Sequence, residues 1–160
     1  MRIASRLVPL PLMSAINSQP SRIDRASHLR ESPATLDRLW SKAQILHIAQ
    51  GRIGAEGYLN ADRVAALIAS GEFKEGSRYF LGLDAVTGDP YFAWDTQWSV
   101  AKSDEEMQVG FTTLREVGAE LSDIDVELAL HAVALSNWHR AHPCCAKCGA
   151  PTRLDLGGAV

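Results

Sequence analysis

Three cysteines, Cys144, Cys145 and Cys148, fall within five residues near the end of the 160-residue chain, and no other cysteine occurs. Cys145 and Cys148 form a C-x2-C pair followed by Gly149. Two thiolates at this spacing can reach one metal ion because the turn between them is tight. A glycine after the second cysteine lets backbone N–H groups approach the sulfurs. Lys147, between the two, favours thiolate over thiol. Cys144 and Cys148, at C-x3-C, fit less well. A disulfide framework is a poor reading, because no cysteine elsewhere can be stapled. Cys145 and Cys148 are therefore the predicted metal ligands and structural zinc the predicted metal. They make half of a tetrahedral site.

Zinc ribbons place the second pair about 15–20 residues further on, which from Cys148 means about residue 164 or later. The sequence ends at Val160. His139 and His142 precede the cysteines and offer H-x2-H-x2-C-x2-C as a way to four ligands. A helical histidine pair would have to fold back sharply through Pro143, so both are read as polar residues at the end of a buried helix. A dithiol redox pair is a weaker reading, since the thioredoxin-like βαβ setting is missing.

Other chemistry is thin. No G-x-G-x-x-G, P-loop or G-x-S-x-G stretch occurs. Asp84, Asp89 and Asp95 flank a hairpin and read as turn and strand-end residues rather than paired carboxylates. Trp94, Trp98, Tyr79, Phe80, Tyr91 and Phe92 read as core and cross-strand pairs rather than a stacking platform.

The positioning elements follow from pattern. Hydrophobic residues make up 46% of the chain and charged residues 22%, with a net charge of −3. That is a soluble globular composition with no strong nucleic-acid signature. No run is long enough to span a membrane. Pro9 and Pro11 interrupt the apolar start, which reads as an extended strand or arm of a cytoplasmic protein rather than a signal peptide. Ser21, with Asp24 three residues on, is expected to cap a short helix. Pro33 and Thr35 open another, with Leu36, Leu39 and Trp40 on one face. Ile45 to Ala49 reads as a strand followed by a turn at Gly51 and Gly54. Ala61 to Ser70 reads as a helix stopped by Gly71. Tyr79 to Asp84 and Tyr91 to Trp94 form a hairpin across "TGDP", with Pro90 at its edge. "TTLREVGAE" is a short helix.

Ser122 or Asp123 then caps a long helix ended by Pro143. Ile124, Leu128, His131, Leu135 and Trp138, at spacings of 4, 3, 4 and 3, form one stripe. Val126, Leu130 and Val133 widen it, so most of this helix is expected to be buried, with His131 a satisfied core histidine. The fold class is α+β: a small mixed or antiparallel sheet with flanking helices, a long connecting helix and an incomplete zinc-ribbon knuckle. The expected division is an α+β domain over 1–120, a connecting helix over 121–142 and a partial ribbon over 143–160.

The stretch "ALSNWHRAHPCCAKCGAPTRLDLGG" resembles the junction of NADH pyrophosphatases of the Nudix superfamily. There a helix ending A-L-x-x-W-H runs into a ribbon beginning C-x2-C-G-x-P-T-x4-G-G. The matching positions are Ala134, Leu135, Trp138, His139, Cys145, Cys148, Gly149, Pro151, Thr152, Gly157 and Gly158. "DRASHLRESPATLDRLW" resembles the early segment of the same enzymes. The resemblance covers essentially the whole chain, most strongly over 134–158 and more loosely over 43–110. It implies an N-terminal α+β domain and a zinc ribbon ahead of a catalytic Nudix domain. It implies hydrolysis of NAD(H) to nicotinamide mononucleotide and AMP, and removal of NAD caps from RNA. Catalysis in the family uses Mg2+ or Mn2+ on the Nudix-box glutamates, and a homodimer is implied.

This sequence departs from the family at the catalytic motif, G-x5-E-x7-R-E-U-x-E-E-x-G-U, where U is aliphatic. Aligning Arg115 and Glu116 with its R-E puts Ala101 at the first Gly, Met107 at the first Glu, Ala119 at the first paired Glu and Ser122 at the last Gly. Only Glu120 of the metal-binding pair survives. Arg115, Glu116 and Glu120 are read as a solvated helix face. The chain is expected to be an N-terminal fragment of an NADH pyrophosphatase, catalytically inactive alone, with no catalytic or cofactor-binding residues of its own. The alternative is a non-enzymatic dimerisation module in which two chains share one zinc, each giving Cys145 and Cys148. The tail after Cys148 is expected to be poorly ordered without zinc.

Overall fold

The computed structural model describes residues 20–159, so the arm expected around Pro9 and Pro11 lies outside the described residues. Ile23–Asp24 (β1) is a two-residue edge strand. Pro33–Trp40 (α1) starts where the Ser32 hydroxyl accepts the Thr35 N–H, with Pro33 in the first turn, where its missing N–H costs nothing. Gln44–Ala49 (β2) and Arg52–Leu59 (β3) follow. Ala61–Ser70 (α2) is capped by the Asn60 side chain and stopped by Gly71 at φ 74°. Ser77–Asp84 (β4) and Pro90–Thr96 (β5) form the expected hairpin. Asp104–Gln108 (α3), Phe111–Thr112 (β6) and Leu114–Val117 (α4) lead to the long helix Asp123–Ala141 (α5), capped by Ser122.

The six strands form one sheet in the order β1-β4-β5-β2-β3-β6. β2 and β5 run parallel, and the other neighbours are antiparallel. This is the expected α+β fold with a mixed sheet. Side chains alternate across it, as strand geometry requires. Ile45, Phe80, Phe92 and Trp94 pack with Trp40 of α1 and Val64 of α2 on one face. Leu46, Ile48, Tyr79, Leu81 and Ala93 pack against Leu128, Ala129 and Ala132 of α5 on the other. With both faces covered, β2 is buried from Ile45 to Ala49, its apolar run interrupted only by His47. Among the described residues, no helix is long and apolar enough to cross a membrane.

Several local expectations are corrected. No helix forms behind Ser21. Ile23 and Asp24 instead pair with Asp84 and Leu83, while the Ser21 hydroxyl bonds to Glu127 and to the Ile23 backbone. Strand pairing gives this backbone the partners that a one-turn helix would leave unmade. Gln50 and Gly51 make the turn after β2, both at positive φ. Gly54 is not in that turn; it lies within β3, opposite Phe111. The helix at "TTLREVGAE" spans only Leu114–Val117.

The long helix buries a line one step round from the expected stripe: Leu128, Ala129, Ala132 and Ser136. Trp138 is 57% exposed and Leu130 54% exposed. Small side chains let the helix approach the sheet closely, and the large apolar ones flank that contact. His131 is half-buried beside Arg25, and burial pushes its pKa down to about 4.

The tail follows a defined path. After the cysteines the chain turns back, and a 3₁₀ turn over Leu156–Gly158 docks on β4. Gly158 sits so close to Tyr79 that a Cβ there would lie 2.5 Å from the ring, and its φ of +86° already favours glycine.

Candidate functional site

Helix α5 ends at Ala141 with His142 as its cap, and Pro143 cannot continue it. The chain then makes a tight hairpin. Thr152 N–H donates to the Pro143 carbonyl, and its hydroxyl donates to the His142 carbonyl at 2.7 Å. Cys145 N–H donates to Ala150 O, and Gly149 N–H donates to Cys145 O, both at 2.8 Å. Gly149 adopts φ +71°, the left-handed conformation that lets the chain curl back after Cys148. The Cys-x2-Cys-Gly spacing thus folds locally into a closed knuckle. All three cysteines are free and exposed.

The knuckle is electrostatically prepared at one sulfur. Backbone N–H groups of Cys148 and Lys147, and the Cys148 thiol, hold the Cys145 thiol below its ordinary pKa. The same N–H groups would stabilise a metal-bound thiolate. This donor set fits two positions of a tetrahedral thiolate site. Among the described residues, no three His, Cys, Asp or Glu side chains gather as a metal-binding group.

The two upstream histidines are engaged elsewhere. His139 Nε2 donates to Gly158 O at 2.9 Å, and its ring stacks on Tyr79. His142 Nδ1 donates to Trp138 O at 2.8 Å, and its ring stacks on Trp138 at 3.9 Å. The H-x2-H-x2-C-x2-C arrangement is therefore not assembled.

The remaining sequence candidates resolve into structure. Glu116 accepts the N–H and hydroxyl of Thr113, capping α4, and these bonds hold its carboxyl below its usual range. Arg115 and Glu120 are exposed. Asp84 is buried rather than solvated. It pairs with Arg22 at 2.8 Å and accepts the Val86 and Thr87 N–H groups of the hairpin turn. Asp89 is exposed and bonds the Thr87 hydroxyl. Asp95 stands at the opposite end of the hairpin from Asp84, so the aspartates form no pair. Trp94, Trp98, Tyr79, Phe80 and Phe92 are core residues, as expected.

Asp95 belongs to a feature that no sequence motif announces. It lines a cleft of about 340 Å³ with Tyr79, Ser136, His139 and Arg140. Tyr79 donates to it at 2.7 Å. Burial pushes the Asp95 carboxyl up, opposed by the hydroxyls of Tyr79 and Ser136. The group leaves no local signal because β4, β5 and α5 bring it together from distant parts of the chain.

No protein-family model matches the chain. Over 63 residues it is 36% identical to the NAD(P)H pyrophosphatase NUDT13, mitochondrial, of Mus musculus. The match covers 38% of this chain and 18% of that protein, so the chain spans under a fifth of the relative's length. This partial likeness supports relatedness to Nudix NADH pyrophosphatases and nothing finer.

Proposed function

We propose that the chain supplies the N-terminal α+β part and the first cysteine pair of a zinc ribbon in an NADH-pyrophosphatase-type protein. The observation that supports this reading is the Cys145–Gly149 knuckle, with backbone N–H groups trained on the Cys145 sulfur. Cys145 and Cys148 would hold the zinc, which when bound fixes the knuckle and performs no chemistry on substrate. The residues of the chain itself close the hairpin and aim backbone N–H groups at the Cys145 sulfur. Of the metal-binding glutamates that hold Mg2+ or Mn2+ in the resembled enzymes, only one has a counterpart position here, Glu120. These 160 residues alone are therefore expected not to hydrolyse NADH. The proposed setting is the cytoplasm, where clustered free thiols stay reduced; cell fractionation checks it.

A second reading is favoured by the exposure of both thiols and by the absence of a third ligand among the described residues. Two chains share one zinc, making a homodimer with a four-thiolate site. Cobalt substitution tests both. Tetrahedral thiolate absorption that is lost in Cys148→Ser is the expected result, and its absence overturns zinc binding. One metal per two chains, with dimerisation, selects the shared site. Incubating the chain with NADH and Mg2+ should release no AMP; release above a mock purification overturns the inactive assignment.

A further inference from the structure

A second cleft, of about 410 Å³, opens where β3, α2 and the loop before β6 meet on the face away from α5. That volume falls in the range of small-molecule sites, about 300–1,000 Å³. Leu59, Leu67, Phe73 and Phe111 form apolar walls, His47 borders it, and Glu56, Arg63 and Glu72 bring charge to its lining. Gly57 and Gly110 complete the rim. A Cβ at either would meet nothing within 4 Å, so both face open space.

His47 is 4% exposed and rigidly held. Its ring stacks on Trp94 at 4.4 Å and meets Phe73 and Phe111 edge-on at 4.8 and 5.0 Å. The hydrogen bonds around it decide its tautomer. Thr96 Oγ1 donates its single proton to the Ile48 carbonyl at 3.3 Å. It must then accept from His47 Nε2, 2.9 Å away. Satisfying both contacts with one hydroxyl proton assigns the imidazole proton to Nε2 and leaves Nδ1 as the acceptor. Among the described residues nothing donates to Nδ1, yet no fully buried side-chain nitrogen or oxygen there lacks a partner. His47 is a lining residue of the cleft, which is where a donor for Nδ1 would come from.

We propose that this cleft binds a flat heteroaromatic ring bearing an N–H donor, with the N–H given to His47 Nδ1 and the ring packed against Phe73 and Phe111. Aromatic walls favour a planar ligand, and an acceptor at the aromatic floor, apart from the charged Glu56, Arg63 and Glu72 that also line the cleft, selects one that can fill it with a hydrogen bond. Rejection of rings without a donor follows, because binding one would leave Nδ1 desolvated and unpaired. The source of the ring is either a nucleobase or an indole-type metabolite.

The test is an NMR titration of the isotopically labelled full chain with indole, benzofuran and adenine. Indole and benzofuran have nearly the same shape, but only indole has the N–H. Saturable shifts at Phe73, Phe111 and the His47 ring with indole or adenine are expected, with benzofuran about tenfold weaker than indole. The tighter of indole and adenine names the source. Equal affinity for indole and benzofuran, or no saturation with any probe, overturns the proposal. Ala55→Phe, at an exposed position on the cleft wall, should abolish binding while leaving the fold intact; retained binding in that variant overturns the location. His47→Phe should keep the stack and lose the preference for indole. If that variant does not fold, the indole–benzofuran comparison on the unmodified chain decides.

Discussion

His139 donates from Nε2 to the Gly158 carbonyl at 2.9 Å, joining the last turn of α5 to the returning tail. Beneath that bond the His139 ring stacks on Tyr79, whose ring also packs against Gly158. Arg30 approaches the same turn from the other side, 3.4 Å from the Leu156 carbonyl and over the Phe80 ring. The knuckle is thus held at both ends by the α+β core.

That anchoring makes Gly158 sensitive. An alanine there carries the left-handed backbone penalty of about 1–2 kcal/mol and drives a methyl into the Tyr79 ring. Gly158→Ala is expected to cost roughly 2 kcal/mol or more in urea denaturation. An unchanged midpoint and slope would mean that the tail does not dock where described.

The buried line of α5 sets a contrast between two large apolar residues on one helix. Leu128 is 1% exposed and Trp138 57% exposed. Leu128→Ala should cost about 2–5 kcal/mol through transfer and cavity terms. Trp138→Ala should cost under about 1 kcal/mol, despite removing the larger side chain. Comparable losses measured side by side would restore the stripe expected from sequence.

Burial of His47 gives stability a pH dependence. Desolvation lowers its pKa from 6.5 to about 4, only partly opposed by Glu56 and Glu72. The other neighbours of the ring are Thr96, Trp94, Phe73 and Phe111, which carry no charge. As pH falls below 6.5 the unfolded chain binds a proton that the folded chain refuses, so stability is lost. The loss is complete once pH passes below about 4, and it amounts to roughly 3 kcal/mol for this group. Urea melts at pH 7 and pH 4.5 should show a smaller pH loss for His47→Phe than for the unmodified chain. Parallel losses would place the titration elsewhere. His131 contributes equally to both proteins.

What could be read from sequence was what local pattern controls. Pro33, Asn60, Gly71 and Ser122 sit at helix ends and carry their own signals, so α1, α2 and α5 were legible. The β4–β5 hairpin was legible because its turn chemistry lies between two aromatic runs. β1 and β6, at two residues each, exist only because a neighbouring strand offers partners, and nothing local announces them. β3, with Gly54 and Gly57 inside it, reads as a turn until its pairing with β2 is known. The buried line of α5 departs from the periodic stripe because periodicity weights bulky residues, whereas contact with the sheet selected Ala129, Ala132 and Ser136. The cysteine knuckle was legible as a motif, but its tie to β4 through Gly158 was not. The cleft over His47 joins residues from β2, β3, α2 and β6 and leaves no trace in spacing.

The lone parallel pairing of β2 with β5 divides the sheet into two antiparallel ribbons, β1-β4-β5 and β3-β6 with β2, joined along one seam. Only the hairpins β2–β3 and β4–β5 close through short connections; the edge pairings β1–β4 and β3–β6 close longer excursions than the seam, and the seam closes the one through β3, α2 and β4. The entropy of closing that long excursion falls on the best-buried strands of the molecule. A slip of one residue along the seam would turn Ile45 and Ile48 to the opposite faces and unmake both layers together. Assembly of this protein is therefore decided at its centre, along the seam that joins its two hairpins.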